Sequence, residues 1–156
     1  MSISELKDKA TKILLEHVSS QPDKTYYGYP IWDNLSVEYF DKLDKGHRGW
    51  VYVIFDDAKE RVKIGYTIRN PVERARRVFP SCKGTKLYIA AFPCKLNEAY
   101  KVEGYVHSIL YSCGLQSSKR GIGNAEAYSG GTEIFDIMPR IACALIDETV
   151  NDWVIQ

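Results

Sequence analysis

Four polar residues of different chemistry fall on successive segments of the chain: Tyr52, Lys63, Arg74 and Glu103, with His107 one helical turn beyond the last. The set suits phosphodiester hydrolysis. That reaction needs a group to align or deprotonate the attacking water, and cations on the non-bridging oxygens, where negative charge grows in the transition state. It commonly uses a carboxylate to hold a divalent cation, which screens charge and assists the leaving oxygen. A phenol of ordinary pKa, near ~10, is a poor base unless neighbouring cations lower that value, and Lys63 and Arg74 are candidates to supply the field. Taken singly, each residue has a plainer reading. Tyr52 fits a half-buried strand tyrosine, Lys63 a solvated strand lysine, Arg74 a partner for Glu73 or Asn70, and Glu103 with His107 an exposed i,i+4 pair. Glu98, Glu126 and Glu133 are rival metal carboxylates, while His17 and His47 have no partner pattern and read as surface residues.

The elements that must position these groups follow from periodicity and punctuation. Trp50–Phe55 (WVYVIF) is aromatic and β-branched, as a strand should be, and Arg61–Thr67 (RVKIGYT) alternates enough to be its hairpin partner. Gly65 inside that second strand marks close approach of another group. Asn70-Pro71-Val72-Glu73 starts a short basic helix running to about Phe79, with Asn70 as cap and Pro71 at the first helical position. Lys86–Phe92 reads as a third strand. Asn97–Cys113 reads as a longer helix with Ala99, Val102, Val106, Ile109 and Leu110 on its apolar face and Gly114 as its stop. The polar, glycine-rich stretch 114–132 reads as a long loop, Glu133–Ile137 as a short apolar return, and Arg140–Trp153 as a closing helix with Ile141, Leu145 and Val150 inward and Pro139 near its start.

Upstream, Ser2-Ile3-Ser4-Glu5 is a capping-box pattern opening an amphipathic helix that ends near Ser19. Tyr26–Trp32 falls in an aromatic ordered loop, and Asn34 suits the cap of a second short helix carrying Val37, Phe40 and Leu43. The reading divides the chain into a helical extension, 1–45, and a domain, 46–156.

The bulk numbers fit one domain of 156 residues, with 45% hydrophobic and 26% charged residues. No apolar run reaches the ~20 residues of a membrane span, and the start, MSISELKDKATK, lacks the apolar core of a secretory signal. Cys82, Cys94, Cys113 and Cys143 form no CxxC pair, which argues for four free thiols rather than a zinc or redox site. The net charge of +1 is uninformative, but its distribution is not. Residues 1–45 carry six Lys/Arg against eight Asp/Glu, whereas 59–77 carry seven basic residues against Glu60 and Glu73. That local excess of +5 is an electrostatic footprint suited to a phosphate backbone, or a solvated face.

The ordered set W-V-Y-V-I, K-I-G-Y-T, N-P-x-E-R, E-G-Y-V-H and T-E-I-F resembles the GIY-YIG nuclease superfamily, in the phage- and bacteria-associated branch whose second triplet reads KIG. The resemblance covers roughly Gly49–Ile137. It implies an α/β (α+β) domain with a small three-stranded antiparallel sheet flanked by helices, and metal-dependent DNA cleavage. Tyr52 matches the tyrosine of the first triplet, Lys63 opens the second, and Gly65 is that triplet's glycine. Arg74 matches the helix arginine, Glu103 the single metal-binding glutamate, His107 the branch's histidine, and Glu133 with Phe135 its closing motif. Trp50 stands in place of the first triplet's glycine and Lys63 in place of the second's tyrosine, with Tyr66 a substitute phenol.

The expectation is thus a DNA endonuclease using Mg2+ or Mn2+ held by Glu103, with the choice between DNA and RNA left open by the residues. Arg61, Tyr66, Thr67, Arg69, Arg76, Arg77, Lys119 and Arg120 are the candidate nucleic-acid contacts. Specificity would come from Tyr26–Trp32, the 114–132 loop or the partner in a homodimer. The expected setting is the cytoplasm of a bacterial or phage-infected cell, with no membrane partner. The alternatives are a nucleic-acid-binding module without turnover, and a phage or mobile-element accessory protein that binds a host protein through the Tyr- and Trp-rich N-terminal region.

Overall fold

The computed structural model describes residues 26–43, 49–128 and 133–155, together with residues 2, 5, 12, 13 and 16. Its described elements in chain order are β1 (Tyr29–Pro30), α1 (Asn34–Leu43), β2 (Gly49–Asp56), β3 (Val62–Thr67), α2 (Pro71–Val78), β4 (Leu87–Cys94), α3 (Leu96–Ser112), β5 (Gly121–Ile122), β6 (Ala125–Glu126), β7 (Ile134–Phe135) and α4 (Pro139–Ile155). The expected N-terminal helix to Ser19, His17 and His47 lie outside the described residues, although Glu5 N donates to Ser2 Oγ at 3.1 Å as a cap would.

Every residue of β2 is buried, which explains its apolar run from Trp50 to Phe55: both faces of the strand are covered. Antiparallel pairing with β3 sets Tyr52 opposite Gly65 and Ile54 opposite Lys63, and pairing with β4 runs from Gly49–Cys94 to Asp56–Leu87. One face of the sheet buries Val51, Val53, Phe55, Val62 and Ile64 against Val102, Val106 and Leu110 of α3 and Ile141, Ala142 and Ile146 of α4. The other buries Trp50, Tyr52 and Ile54 against Phe40 of α1 and Val72, Ala75 and Val78 of α2. The result is an α/β/α sandwich.

The expected three strands are the centre of a five-stranded antiparallel sheet of order β1-β4-β2-β3-β7. The additions are short edges. Tyr29–Pro30, expected as loop, pairs with Tyr88 and Ile89. Ile134–Phe135 pairs with Val62 and Lys63. A second correction concerns the 114–132 stretch. Its described part contains the β5–β6 ladder and buries Ile122 and Ala125 against the α2 face, so it is a packed segment rather than a plain loop.

Local capping matches the sequence in two places and departs from it in one. Asn70 Oδ1 accepts from Val72 N at 3.0 Å and Glu73 N at 3.3 Å, while its Nδ2 donates to Val37 O at 2.9 Å and Asp41 Oδ1 at 2.8 Å, tying α2 to α1. Helix α3 closes in a Schellman turn: Leu115 N bonds Leu110 O, Gly114 N bonds Tyr111 O, and Gly114 takes a φ of 71°. At α1 the capping side chain is Asp33, whose Oδ1 accepts from Leu35 N at 2.9 Å, rather than Asn34. Asn34 Oδ1 instead accepts from the Arg76 guanidinium at 3.4 Å. All four cysteines are free. Among the described residues, no helix is long and apolar enough to cross a membrane.

Candidate active site

Tyr52 is 1% exposed, and the hydroxyl end of its ring lies against Gly65. A Cβ on Gly65 would overlap the Tyr52 hydroxyl and stand 2.5 Å from its Cζ, so the glycine is there to admit the ring. Two residue pairs further along the ladder, Lys63 is 2% exposed and forms an ion pair with Glu133, which β7 carries to the outer edge of β3. From α2, the Arg74 guanidinium acts on the Tyr52 phenol through charge and a hydrogen bond. From α3, Glu103 and His107 turn inward, both nine-tenths buried, with Nδ1 of the imidazole 3.0 Å from Glu103 Oε1. The other ring nitrogen, Nε2, sits 2.9 Å from Ile64 O. The structure therefore brings Tyr52, Lys63, Arg74, Glu103 and His107 together from four elements.

Electrostatics corrects one expectation. Burial pushes the Tyr52 phenol up to about 12; Arg74 pulls it down, and Glu133 and Glu103 add to the rise. The cationic field exists, but desolvation outweighs it, so the phenol stays protonated at neutral pH. Burial conversely lowers Lys63, opposed by the charge and hydrogen bond of Glu133 and by Glu103, and reinforced by Arg74.

An open groove beside these groups is lined by Tyr66, Thr67, Ile68, Arg69, Glu73, Arg74 and Arg77. Four of the candidate nucleic-acid contacts thus converge there: Tyr66, Thr67, Arg69 and Arg77. The other four do not line it. Arg61 precedes β3 at its opposite end, its Nε donating to Gly121 O at 3.3 Å. Arg76 points away, bonding Ile31 O and stacking 5.4 Å from the Trp32 ring centroid. Lys119 and Arg120 are exposed on the segment that leads into β5.

Of the rival carboxylates, Glu133 joins the cluster. Single donor atoms from Glu103, His107 and Glu133 lie within 4.8 Å of one another, the arrangement a metal ion would need. Glu126 is exposed on β6, and Glu98 lies in the first turn of α3. Tyr111 was not singled out from the sequence. Its ring lies 6.0 Å from that of His107 and 5.3 Å from that of Phe135, and burial, then Glu133 and Glu103, raise its pKa. Its spacing, four residues beyond His107 and eight beyond Glu103, was the available signal.

No curated protein and no solved structure gives a match to the chain. The T5orf172 domain, a domain found in phage and nuclease-like proteins, matches residues 49–154, from the first residue of β2 to within the last turn of α4. That span is more than half of the 156 residues, and the chain belongs to the T5orf172 domain family.

Proposed function

We propose that the protein is a metal-dependent endonuclease of GIY-YIG type that hydrolyses DNA phosphodiester bonds. The observation that carries this reading is the gathering of a buried lysine, a buried glutamate, a buried tyrosine and an arginine at the edge of a basic groove. Burying Lys63 and Glu103 costs several kcal/mol each before pairing, by order of magnitude, and hydrophobic replacements would stabilise the fold as well or better. Clustered, desolvated charge of this kind beside a cleft is characteristic of catalytic sites.

In this mechanism the DNA backbone lies along Arg69, Arg74 and Arg77, which position phosphates without reading sequence. Arg74 faces the phosphate that reacts and stabilises charge developing on its non-bridging oxygens. Tyr52, protonated and held against Gly65, aligns the attacking water by hydrogen bonding; the water gives its proton to solvent in the open groove as the P–O bond forms, and the departing oxygen takes one from solvent. Lys63 gives a second positive charge at the same phosphate. The donor set fits a cation, since single atoms of two carboxylates and an imidazole lie within 4.8 Å of one another, close enough to share one ion. Mg2+ or Mn2+ held by Glu103 would supply charge neutralisation and assistance to the leaving oxygen.

The test is cleavage of supercoiled plasmid and duplex oligonucleotides with Mg2+ or Mn2+, comparing wild type with Arg74→Ala. We expect nicking by wild type and a loss of roughly 10²–10³-fold in the variant. Salt-sensitive DNA binding without cleavage would instead identify a nucleic-acid-binding module. Failure to bind DNA or RNA would leave an accessory protein that binds a host protein.

A further inference from the structure

We propose that Glu103, His107 and Glu133 form a three-ligand site for a first-row transition-metal dication such as Mn2+, in which Lys63 holds Glu133 while the cation is absent. This deepens the nuclease reading and rests on it for the cation's role, but adds two ligands and a metal preference.

The geometry begins at the sheet edge. Strand β7 pairs with β3 only at Val62 and Lys63, so the edge carbonyl of Ile64 lies beyond the ladder. His107 Nε2, at 2.9 Å, takes the place of a strand partner. A carbonyl only accepts, so Nε2 donates to it, and Nδ1 is the ring nitrogen left to meet a cation. Nδ1 faces Glu103 Oε1 at 3.0 Å. A shared proton makes such an approach, and a cation between the two atoms would make it in the proton's place. A separation of 3.0 Å is also what two donors at right angles on one ion make when each bond is about 2.1 Å. Fixing one imidazole nitrogen with a backbone carbonyl while the other meets a cation is how metal-binding histidines are oriented.

Glu133 adds the third donor. Its side chain is 31% exposed, so it can exchange partners without repacking the core. At present its partner is the Lys63 ammonium, a positive charge where a dication would bring two. Once the cation takes Glu133, that ammonium is released toward a substrate phosphate. The imidazole decides the class of ion. Mg2+ favours all-oxygen surroundings and retains its waters, whereas a nitrogen donor strengthens binding of Mn2+ and later first-row metals.

The experiment is calorimetric titration of the full chain with Mn2+ and Mg2+ without nucleic acid, with Mn2+ electron paramagnetic resonance as a second readout. Wild type, His107→Ala, Glu133→Gln and Lys63→Met are compared, each checked for folding by circular dichroism. We expect one Mn2+ bound, and Mg2+ at least about tenfold more weakly. Glu133→Gln and His107→Ala should each weaken Mn2+ by about 10–100-fold, and Lys63→Met should tighten it by about tenfold as the competing charge goes. Should His107→Ala not fold, Glu133→Gln and Lys63→Met decide. Equal binding of the two ions, no binding, or Mn2+ affinity indifferent to Glu133 and Lys63 overturns the proposal. Mn2+ bound as described without DNA cleavage would sink the nuclease reading alone; cleavage with Glu133→Gln as active and as metal-avid as wild type would sink this one alone.

Discussion

Gly65→Ala is the smallest change that reaches the centre of the site. Gly65 does not have a positive φ, so alanine is compatible with the backbone and the cost is steric. The new methyl would stand 2.5 Å from Tyr52 Cζ, where ordinary contact begins at 3.4 Å, so the ring must shift by about 0.9 Å. The ring is 1% exposed, so it must shift against packed neighbours rather than into solvent. Overpacking of this kind costs about 1–3 kcal/mol, offset by about 0.4–1 kcal/mol from the less flexible unfolded chain. A net loss of about 1–2 kcal/mol is expected in urea denaturation. A displacement near 1 Å of an aligning hydroxyl should also slow cleavage by on the order of 10²-fold. The double-mutant cycle with Tyr52→Leu isolates the cause. Without the ring, Gly65→Ala should be neutral or stabilising, giving a coupling of about 1–2 kcal/mol. An equal cost in both backgrounds, or a Gly65→Ala variant as stable and active as wild type, would mean that Gly65 is not there to admit the Tyr52 ring.

Further expectations follow from individual contacts. Asn70→Ala removes the α2 cap and both bonds to α1, and should cost about 2 kcal/mol by urea denaturation. At pH 8 a colorimetric thiol reagent should label Cys82 quickly and leave the buried Cys94, Cys113 and Cys143 protected until unfolding. Tyr52 binds its proton more tightly when folded, so its contribution is intact below the unfolded value of 10 and is lost as pH rises toward about 12. The stability lost by wild type between pH 10 and 12 should therefore exceed that lost by Tyr52→Phe, by up to about 1.4 kcal/mol per pH unit.

The central strands were legible because long β-branched runs leave little choice, and α2 because Asn70-Pro71 is a strong start. Tyr29–Pro30 was not, since two residues show no alternation and their pairing with Tyr88 and Ile89 depends on chain far away. The site was legible as an ordered set of residue types. Its burial was not: a strand lysine reads as solvated until Glu133 is brought to it by β7, 70 residues on. The same long-range pairing separates Glu133 from Glu98 and Glu126, which composition alone leaves equivalent. Arg76 shows a signal that was present but unused. It sits two residues from Arg74, on the opposite side of a 3.6-residue turn, and so faces Trp32, whereas Arg77 shares the groove side.

The most direct measurement of the central claim is the single-turnover nicking rate of supercoiled DNA by Glu103→Ala against wild type, with Mn2+ and with Mg2+. Wild type is expected to nick DNA only with the added cation, and Glu103→Ala, while folded, to be slower by at least roughly 10²-fold. Nicking by Glu103→Ala at the wild-type rate, or wild type that cuts no DNA with either ion, would contradict that claim.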